Sequence, residues 1–195
     1  MSSVSMPSHV SQASPSPVSA SAASSSDRVA AKPLLFELSA INLACRDIDR
    51  ARIEHLNPHR GDMALLDYVV WHSQDFTKAV GLKIVRADEF WVAGHFPRRA
   101  LLPGVLMIET AAQLASFTYN SRFDKPKLPV FTRIQEASFR SAVVPGDHLF
   151  ILCRDVKFSP KRFISDVQGL VNGKPAFEAR ITGMSGQEGD PNDLV

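Results

Sequence analysis

Residues 104–118 form an apolar run with almost no polar face, and this run constrains the fold more than any other part of the sequence. A helix that is apolar all round must be buried in the core. Pro103 stands just before the expected start of this helix, where a missing backbone N–H costs nothing. The sequence therefore predicts a buried helix over residues 104–118. Its apolar members are Val105, Leu106, Met107, Ile108, Ala111, Ala112, Leu114, Ala115 and Phe117.

Six segments outside this run favour β-strands, because they are rich in β-branched and aromatic residues. Turn residues separate them, and Asn172-Gly173 is the strongest signal for a tight hairpin. A short helix is expected near residues 49–56. We expect an α+β fold in which an antiparallel sheet wraps around one long central helix. The predicted strands are 63–71, 77–85, 129–139, 148–158, 161–171 and 174–184.

The two ends of the chain differ in composition from the rest. Residues 1–26 contain no Lys, Arg, Asp or Glu, and twelve of them are Ser. Such a stretch cannot bury enough apolar surface to offset its ordering entropy, so we expect a disordered tail over 1–32, one domain over 33–186 and a flexible tail over 187–195. The first segment lacks the features of a secretory signal, whereas a transit peptide to a plastid or another organelle stays open as an alternative.

Charge and cysteine content exclude several classes of protein. The net charge of +2 argues against wholesale nucleic-acid binding, and no run of about eighteen apolar residues predicts a membrane span. Cys45 and Cys153 are predicted to be free thiols in a reducing compartment, the cytoplasm. His55 and His59 are four residues apart, but Pro58 would break a helix between them, so we expect no metal site.

Glu109 is a single carboxylate within the predicted buried helix. Burial disfavours the charged form, so we expect a raised pKa and a neutral side chain that can act as a general acid. Gln113 lies four residues on, on the same helical face, where its amide can orient the carboxyl group. The alternatives are an ion pair with an arginine or an exposed patch of the helix.

His95 precedes the helix in a segment stiffened by Gly94, Pro97 and Pro103. A hydrogen-bonded turn residue is one interpretation of this histidine. The other is a base that acts with Glu109 and with a backbone N–H of Gly104 at the helix start. These three groups would remove a proton beside a carbonyl and expel a hydroxyl, which is an elimination.

Several motifs together resemble one family. Gly94-His95-Phe96-Pro97, Pro103-Gly104-Val105-Leu106, Glu109 and Ala112-Gln113 resemble the active-site segment of the β-hydroxyacyl-[acyl carrier protein] dehydratases, which are hotdog-fold enzymes of fatty-acid synthesis. The resemblance covers about residues 50–184, and Asn57-Pro58-His59-Arg60 looks like the N-terminal motif of the family.

The resemblance implies a hydro-lyase with His95 as the base that takes the α-proton and Glu109 as the acid that protonates the leaving hydroxyl. The Gly104 amide would hold the thioester carbonyl, and Gln113 would orient Glu109; Phe96, Pro103 and Val105 complete the expected substrate-binding set. It further implies a homodimer that shares its catalytic residues between subunits, a possible hexamer, a carrier-protein-bound substrate and no cofactor.

One departure from the family pattern leaves alternatives open. Arg98-Arg99-Ala100 follows Pro97, where the family usually has Gly, a variable residue and Pro. Arg98 and Arg99 either contact the phosphopantetheine phosphate or an acidic carrier protein, or belong to a solvated loop. A non-catalytic acyl-thioester-binding protein and a hotdog thioesterase are the rival functions, although a thioesterase would need Glu109 to be ionised.

Overall fold

The computed structural model describes residues 33–188 of the chain. Along the chain they form helix α1, Arg50–Leu56; a single 3-10 turn, Gly61–Met63; strands β1, Tyr68–His72, and β2, Lys78–Ile84; helix α2, Gly104–Asn120; and strands β3, Lys127–Phe139, β4, His148–Ser159, β5, Arg162–Val171, and β6, Lys174–Glu188. The predicted tail 1–32 lies outside these residues. In these described residues no helix is long and apolar enough to cross a membrane.

The six strands form one antiparallel sheet in the order β1-β2-β4-β5-β6-β3, which leaves β1 and β3 at the edges. The sheet wraps around α2, in which Ala111 and Leu114 are completely buried. The predicted α+β architecture of one central helix within an antiparallel sheet is therefore confirmed, and it is the hotdog fold that the resemblance implies.

Glycine allows the sheet to lie close to α2 at one position of β2. A Cβ atom at Gly81 would approach the Leu66 side chain to 2.8 Å and the Leu114 side chain to 3.2 Å. The neighbouring positions 80 and 82 point to the opposite face, because side chains alternate along a strand. The helix thus covers one face of the sheet, and a different segment has to cover the other.

Residues 33–43, the N-terminal strap, cover that outer face. Leu35, Phe36 and other apolar side chains of the strap pack with Val80 and Leu82 in a second hydrophobic cluster. The strap is also tied by polar contacts, since the Leu35 amide donates to Gln168 Oε1 at 3.2 Å. The protein therefore has a core on both sides of its sheet.

Two predicted boundaries were wrong. Strand β1 begins at Tyr68 rather than at residue 63, because the amides of Leu65 and Leu66 donate to the Gln113 side chain instead of to a neighbouring strand. Strand β6 continues to Glu188, which pairs with Lys127, so the first two residues of the predicted flexible tail 187–195 belong to the sheet. The remainder of that tail lies outside the described residues.

The predicted positions of helix α1 and of the hairpin between β5 and β6 agree with the structure. Helix α1 begins after Asp49, whose carboxylate caps it by accepting from the Arg52 amide at 3.0 Å. Asn172 and Gly173 have φ angles of 50° and 74°, which is the left-handed pair that a tight hairpin between β5 and β6 requires.

Candidate active site

Glu109 and Gln113 lie one turn apart on α2, and they are in contact as predicted. Gln113 Nε2 donates to Glu109 Oε1 at 3.0 Å. The orientation of the Gln113 amide is itself held, because its Nε2 also donates to the Met63 carbonyl at 2.7 Å and its Oε1 accepts from two backbone amides. The segment between the 3-10 turn and β1 thus fixes the side chain that orients the carboxylate.

His59 is the second partner of Glu109. Its Nε2 lies 3.2 Å from Glu109 Oε1, and the side chains of both residues are about one quarter exposed, at 28% and 25%. His59 follows α1 in a loop that Asn57 anchors to α2. The side-chain amide of Asn57 donates to the backbone carbonyl of Gln113 at 2.8 Å. The loop therefore places an imidazole against the carboxylate from outside the helix.

The prediction of a raised pKa for Glu109 was wrong for the single chain. The hydrogen bond from His59 lowers the pKa of the carboxyl group, burial opposes that change, and the hydrogen bond from Gln113 adds to the lowering. Two N–H donors on one oxygen thus stabilise the carboxylate more than its partial burial destabilises it. The predicted alternative of an arginine partner is not what the structure has, since the partner is an imidazole.

His59 is the site residue that the sequence reasoning missed. Its four-residue spacing from His55 indicates only a metal pair, and Pro58 argues against that role. The signal that could have found it was the motif Asn57-Pro58-His59-Arg60, which carried part of the family resemblance but was given no part in the chemistry.

His95 lies in the loop between β2 and α2, and its ring is held by a backbone contact. Its Nδ1 lies 2.8 Å from the Leu101 carbonyl oxygen. Because a carbonyl can only accept, Nδ1 must carry the hydrogen, and the neutral ring then has a free lone pair on Nε2. The ring also stacks on Phe96 at a centroid distance of 4.2 Å. This is the tautomer that a base acting through Nε2 requires.

Within the described chain, His95 does not line the cavity beside Glu109. A cavity of about 110 Å³ opens beside Glu109 and His59 and runs along α2 past Ala112 and Ser116. Its far side is formed by Pro129, Phe131 and Phe163. The single chain thus brings Glu109, Gln113 and His59 together, and the predicted base is not part of this group.

The start of α2 presents backbone donors and exposed apolar side chains. The first amides of the helix, at Gly104 and Val105, have no carbonyl partner within the helix. A Cβ atom at Gly104 would lie 2.6 Å from the Phe139 ring, so the residue type permits a close approach of β3. Val105 is 69% exposed and Phe96 is 53% exposed, although both side chains are apolar. Such exposed apolar groups indicate a contact surface.

Arg98 and Arg99 are both exposed in the loop that follows His95, and Pro103 ends that loop. Their exposure agrees with either prediction made for them. Among residues 33–188, no three His, Cys, Asp or Glu side chains are grouped closely enough to hold a metal ion.

Comparison with known proteins identifies the family of this chain. The model of the FabA-like domain matches residues 57–180. The 3-hydroxyacyl-[acyl-carrier-protein] dehydratase FabZ of Clostridium botulinum strain Okra is 34% identical over 135 residues, which is 69% of this chain and 93% of that protein. The FabZ protein of strain Kyoto is 35% identical over the same shares of both chains.

Solved structures share the fold at low identity. The dehydratase heterocomplex ApeI:P of Xenorhabdus doucetiae matches with a TM-score of 0.62 and 18% identity, covering 73% of this chain and 95% of that one. Cj0977, a sigma28-regulated virulence protein of Campylobacter jejuni, matches with a TM-score of 0.53 and 19% identity over 71% and 89% of the two chains. The domain match and the FabZ relatives show that the chain belongs to the FabA-like family.

Proposed function

We propose that the protein is a 3-hydroxyacyl-[acyl carrier protein] dehydratase of fatty-acid synthesis, which removes water to give the trans-2-enoyl thioester. The observation that carries the proposal is the hydrogen bond by which Gln113 orients Glu109 in the first half of α2. The chain that contains it is about one third identical to FabZ dehydratases. Those relatives are named for this reaction, and the proposal assigns its proton transfers to His95 and Glu109 of the present chain.

The proposed reaction divides among three groups. His95 takes the proton from C2 of the substrate through its free Nε2, while the amide of Gly104 at the positive end of α2 stabilises the negative charge that grows on the thioester carbonyl. Glu109 gives its proton to the hydroxyl on C3, which leaves as water while the C2–C3 double bond forms. Return of the His95 proton to Glu109 through solvent restores the site.

The proposed site requires two copies of the chain. His95 does not line the cavity beside Glu109 within one chain, and β3 is an edge strand of 13 residues that exposes Val130 and Ile134 at 51% and 47%. An exposed edge with apolar side chains is the surface on which a second strand adds. We therefore place a homodimer interface along β3, with each cavity completed by His95 of the other subunit; assembly of such dimers into a hexamer remains part of the proposal.

A completed cavity would also change the ionisation of Glu109. Its side chain is 25% exposed in the single chain, and a second subunit that covers it would remove the remaining water. Loss of water raises a carboxyl pKa, which favours the protonated form that a general acid needs. Arg98 and Arg99 would then lie beside the entrance, where two cations suit the phosphate of a phosphopantetheine arm or an acidic carrier protein.

Thioester hydrolysis is the second candidate, because the lowered pKa of Glu109 favours an ionised carboxylate. A carboxylate in this position can activate a water molecule at the carbonyl carbon. The free thiols Cys45 and Cys153 agree with a reducing compartment for either reaction, which we take to be the cytoplasm.

One assay separates these functions. The purified protein is incubated with a 3-hydroxyacyl carrier protein and, separately, with a crotonyl thioester, while the absorbance of the enoyl thioester and the free thiol are followed. A change in absorbance without thiol release supports the dehydratase. Thiol release identifies a thioesterase, and acyl binding without either change identifies a non-catalytic binding protein.

A further inference from the structure

His59 contacts the same oxygen of Glu109 that Gln113 contacts. The His59 Nε2 and Gln113 Nε2 atoms lie 3.2 and 3.0 Å from Glu109 Oε1. Both side-chain contacts of Glu109 within the described residues are thus made by Oε1 and neither by Oε2. The two oxygens of the carboxyl group are therefore in different surroundings, and the difference is set by side chains that the enzyme itself provides.

The donor at Gln113 cannot be exchanged for an acceptor by an amide flip. Its Oε1 accepts from the amides of Leu65 and Leu66 at 3.0 and 3.2 Å, and its Nε2 donates to the Met63 carbonyl at 2.7 Å. A flipped amide would turn its N–H group towards two donors and its oxygen towards a carbonyl. Gln113 therefore presents an N–H to Glu109 Oε1, and that oxygen is an acceptor.

The hydrogen on His59 Nε2 follows from the atom that this nitrogen faces. His59 Nε2 lies 3.2 Å from Glu109 Oε1, and a carboxylate oxygen can only accept, so Nε2 is the donor of this hydrogen bond. His59 Nδ1 is buried and has no hydrogen-bond partner in the described chain. The contact with Glu109 is therefore the one that holds the ring in place.

We propose that His59 is a positioning residue for the proton of Glu109: together with Gln113 it occupies Oε1 with N–H donors, so that the acid carries its proton on Oε2. The proposal rests on the proposed function, and it adds a residue to the acid side of the reaction. A carboxylic acid held in this way delivers its proton from one oxygen and in one direction, instead of from two oxygens that exchange by rotation.

The electrostatics of the site agree with this role. The hydrogen bond from His59 is the largest influence on the Glu109 pKa and lowers it. Among the residues that line the cavity, His59 is the one titratable group that faces Glu109; the strands opposite contribute Pro129, Phe131 and Phe163, and α2 contributes Ala112 and Ser116. Removing the donor should therefore leave burial as the dominant influence, and the pKa should rise.

The test uses two substitutions of similar size in the full chain. His59→Phe keeps a ring and removes the donor, whereas His59→Gln keeps an N–H at nearly the same distance from the backbone. We expect His59→Phe to lower kcat roughly tenfold with little change in KM, which is less than the ~10²–10⁴ expected for loss of a general acid itself. The alkaline limb of its kcat profile should move to higher pH, and His59→Gln should restore both properties.

A second measurement does not depend on activity. The carboxyl carbon signal of Glu109, assigned by its loss in Glu109→Gln, is followed by NMR against pH in the wild type and both variants. A midpoint that rises in His59→Phe and returns in His59→Gln supports the proposal. An unchanged midpoint, an unchanged kcat profile in His59→Phe or a failure of His59→Gln to recover would overturn it. An inactive wild type would overturn the proposed function instead, and the NMR midpoints would still decide whether His59 controls the proton of Glu109.

Discussion

Lys83 is almost completely buried, with 1% of its side chain exposed, and its ammonium group depends on one carboxylate. Its Nζ lies 2.7 Å from Glu89 Oε2, and the same oxygen accepts from the Trp91 indole at 3.0 Å. Burial opposes ionisation of Glu89, but hydrogen bonds from the Arg86 amide, Lys83 and Trp91 outweigh it and lower the pKa of the carboxyl group. This contact fastens the end of β2 to the loop that leads to His95.

Glu89→Gln should destabilise the protein by about 3 kcal/mol at neutral pH, because it leaves a buried ammonium group without a counter-charge. Asp88→Asn is the matched control, since Asp88 is an exposed neighbour and the change of charge is the same. Urea unfolding of both variants measures the difference. Equal urea midpoints for Glu89→Gln and the wild type would show that the ion pair between Lys83 and Glu89 does not stabilise the fold.

The pH dependence of that difference has a defined sign. A carboxyl whose pKa is lower in the folded state contributes stability above its unfolded value, and loses it as the pH falls through the folded value. The ordinary pKa of a glutamate such as Glu89 is 4.5. The difference in the free energy of unfolding between the wild type and Glu89→Gln should therefore be fully present at pH 7 and should become smaller below about pH 4.5. Unfolding curves at both pH values would show this narrowing.

At the residue scale, the sequence was a good guide to which side chains matter and a poor guide to their ionisation. The contact of Gln113 with Glu109 follows from helical spacing alone. The pKa of Glu109 depends on His59, which is 50 residues away in the chain and reaches the carboxylate only because Asn57 is anchored to α2. No periodicity within α2 carries that information.

At the scale of elements, local patterns predicted the strands and the central helix because each has a strong period or a strong turn beside it. The exception was β1, whose predicted start lay in the segment that holds Gln113. Alternation of apolar residues cannot distinguish amides that pair with a strand from amides that bind a side chain. The strap, residues 33–43, was expected to belong to the domain, but no pattern indicated which surface it covers.

The strap should contribute to stability without taking part in the reaction. Phe36 is partly buried against Trp71 at a ring-centroid distance of 5.9 Å, on the face of the sheet that α2 does not cover. Phe36→Ala should therefore lower the free energy of unfolding by about 2 kcal/mol, below the 3–5 kcal/mol of a fully buried phenylalanine. Urea unfolding measures the loss, and kcat at a temperature where the variant is folded should equal that of the wild type.

Glu37→Ala provides the control for this experiment, because Glu37 is the exposed neighbour of Phe36 in the same strap. It should change neither stability nor rate. A lowered kcat in folded Phe36→Ala would show that the outer face of the sheet communicates with the site, which the separation of the two clusters argues against.

At the scale of the whole molecule, two observations on the single chain support the proposed dimer. His95 does not line the cavity beside Glu109, and the edge strand β3 exposes apolar side chains beside the exposed start of α2. In the proposed dimer, a two-fold pairing of this edge would bury the exposed side chains of both copies and complete two equivalent sites at once. Sequence alone could suggest this only through the family resemblance, because neither the edge position of β3 nor the lining of the cavity beside Glu109 is visible in a linear pattern.

Mixing two inactive variants tests the shared site. His95→Ala and Glu109→Gln should each reduce kcat by about 10²–10⁴ while the protein stays folded. In a mixed dimer of the two, one site would combine both substitutions and the other would contain neither. Random reassortment makes about half of the dimers mixed, so the activity should recover to about one quarter of the wild-type value.

The variants are combined by co-expression with different affinity tags, and the mixed dimer is isolated through both tags before its rate is measured. Isolated mixed dimers should reach about half of the wild-type rate per dimer, because one of their two sites is intact. The two parent variants, carried through the same purification, give the background. If each site were built from one chain, every site in the mixed dimer would lack either His95 or Glu109, so a mixed dimer no faster than its parents would exclude the shared site and, with it, the proposed interface along β3.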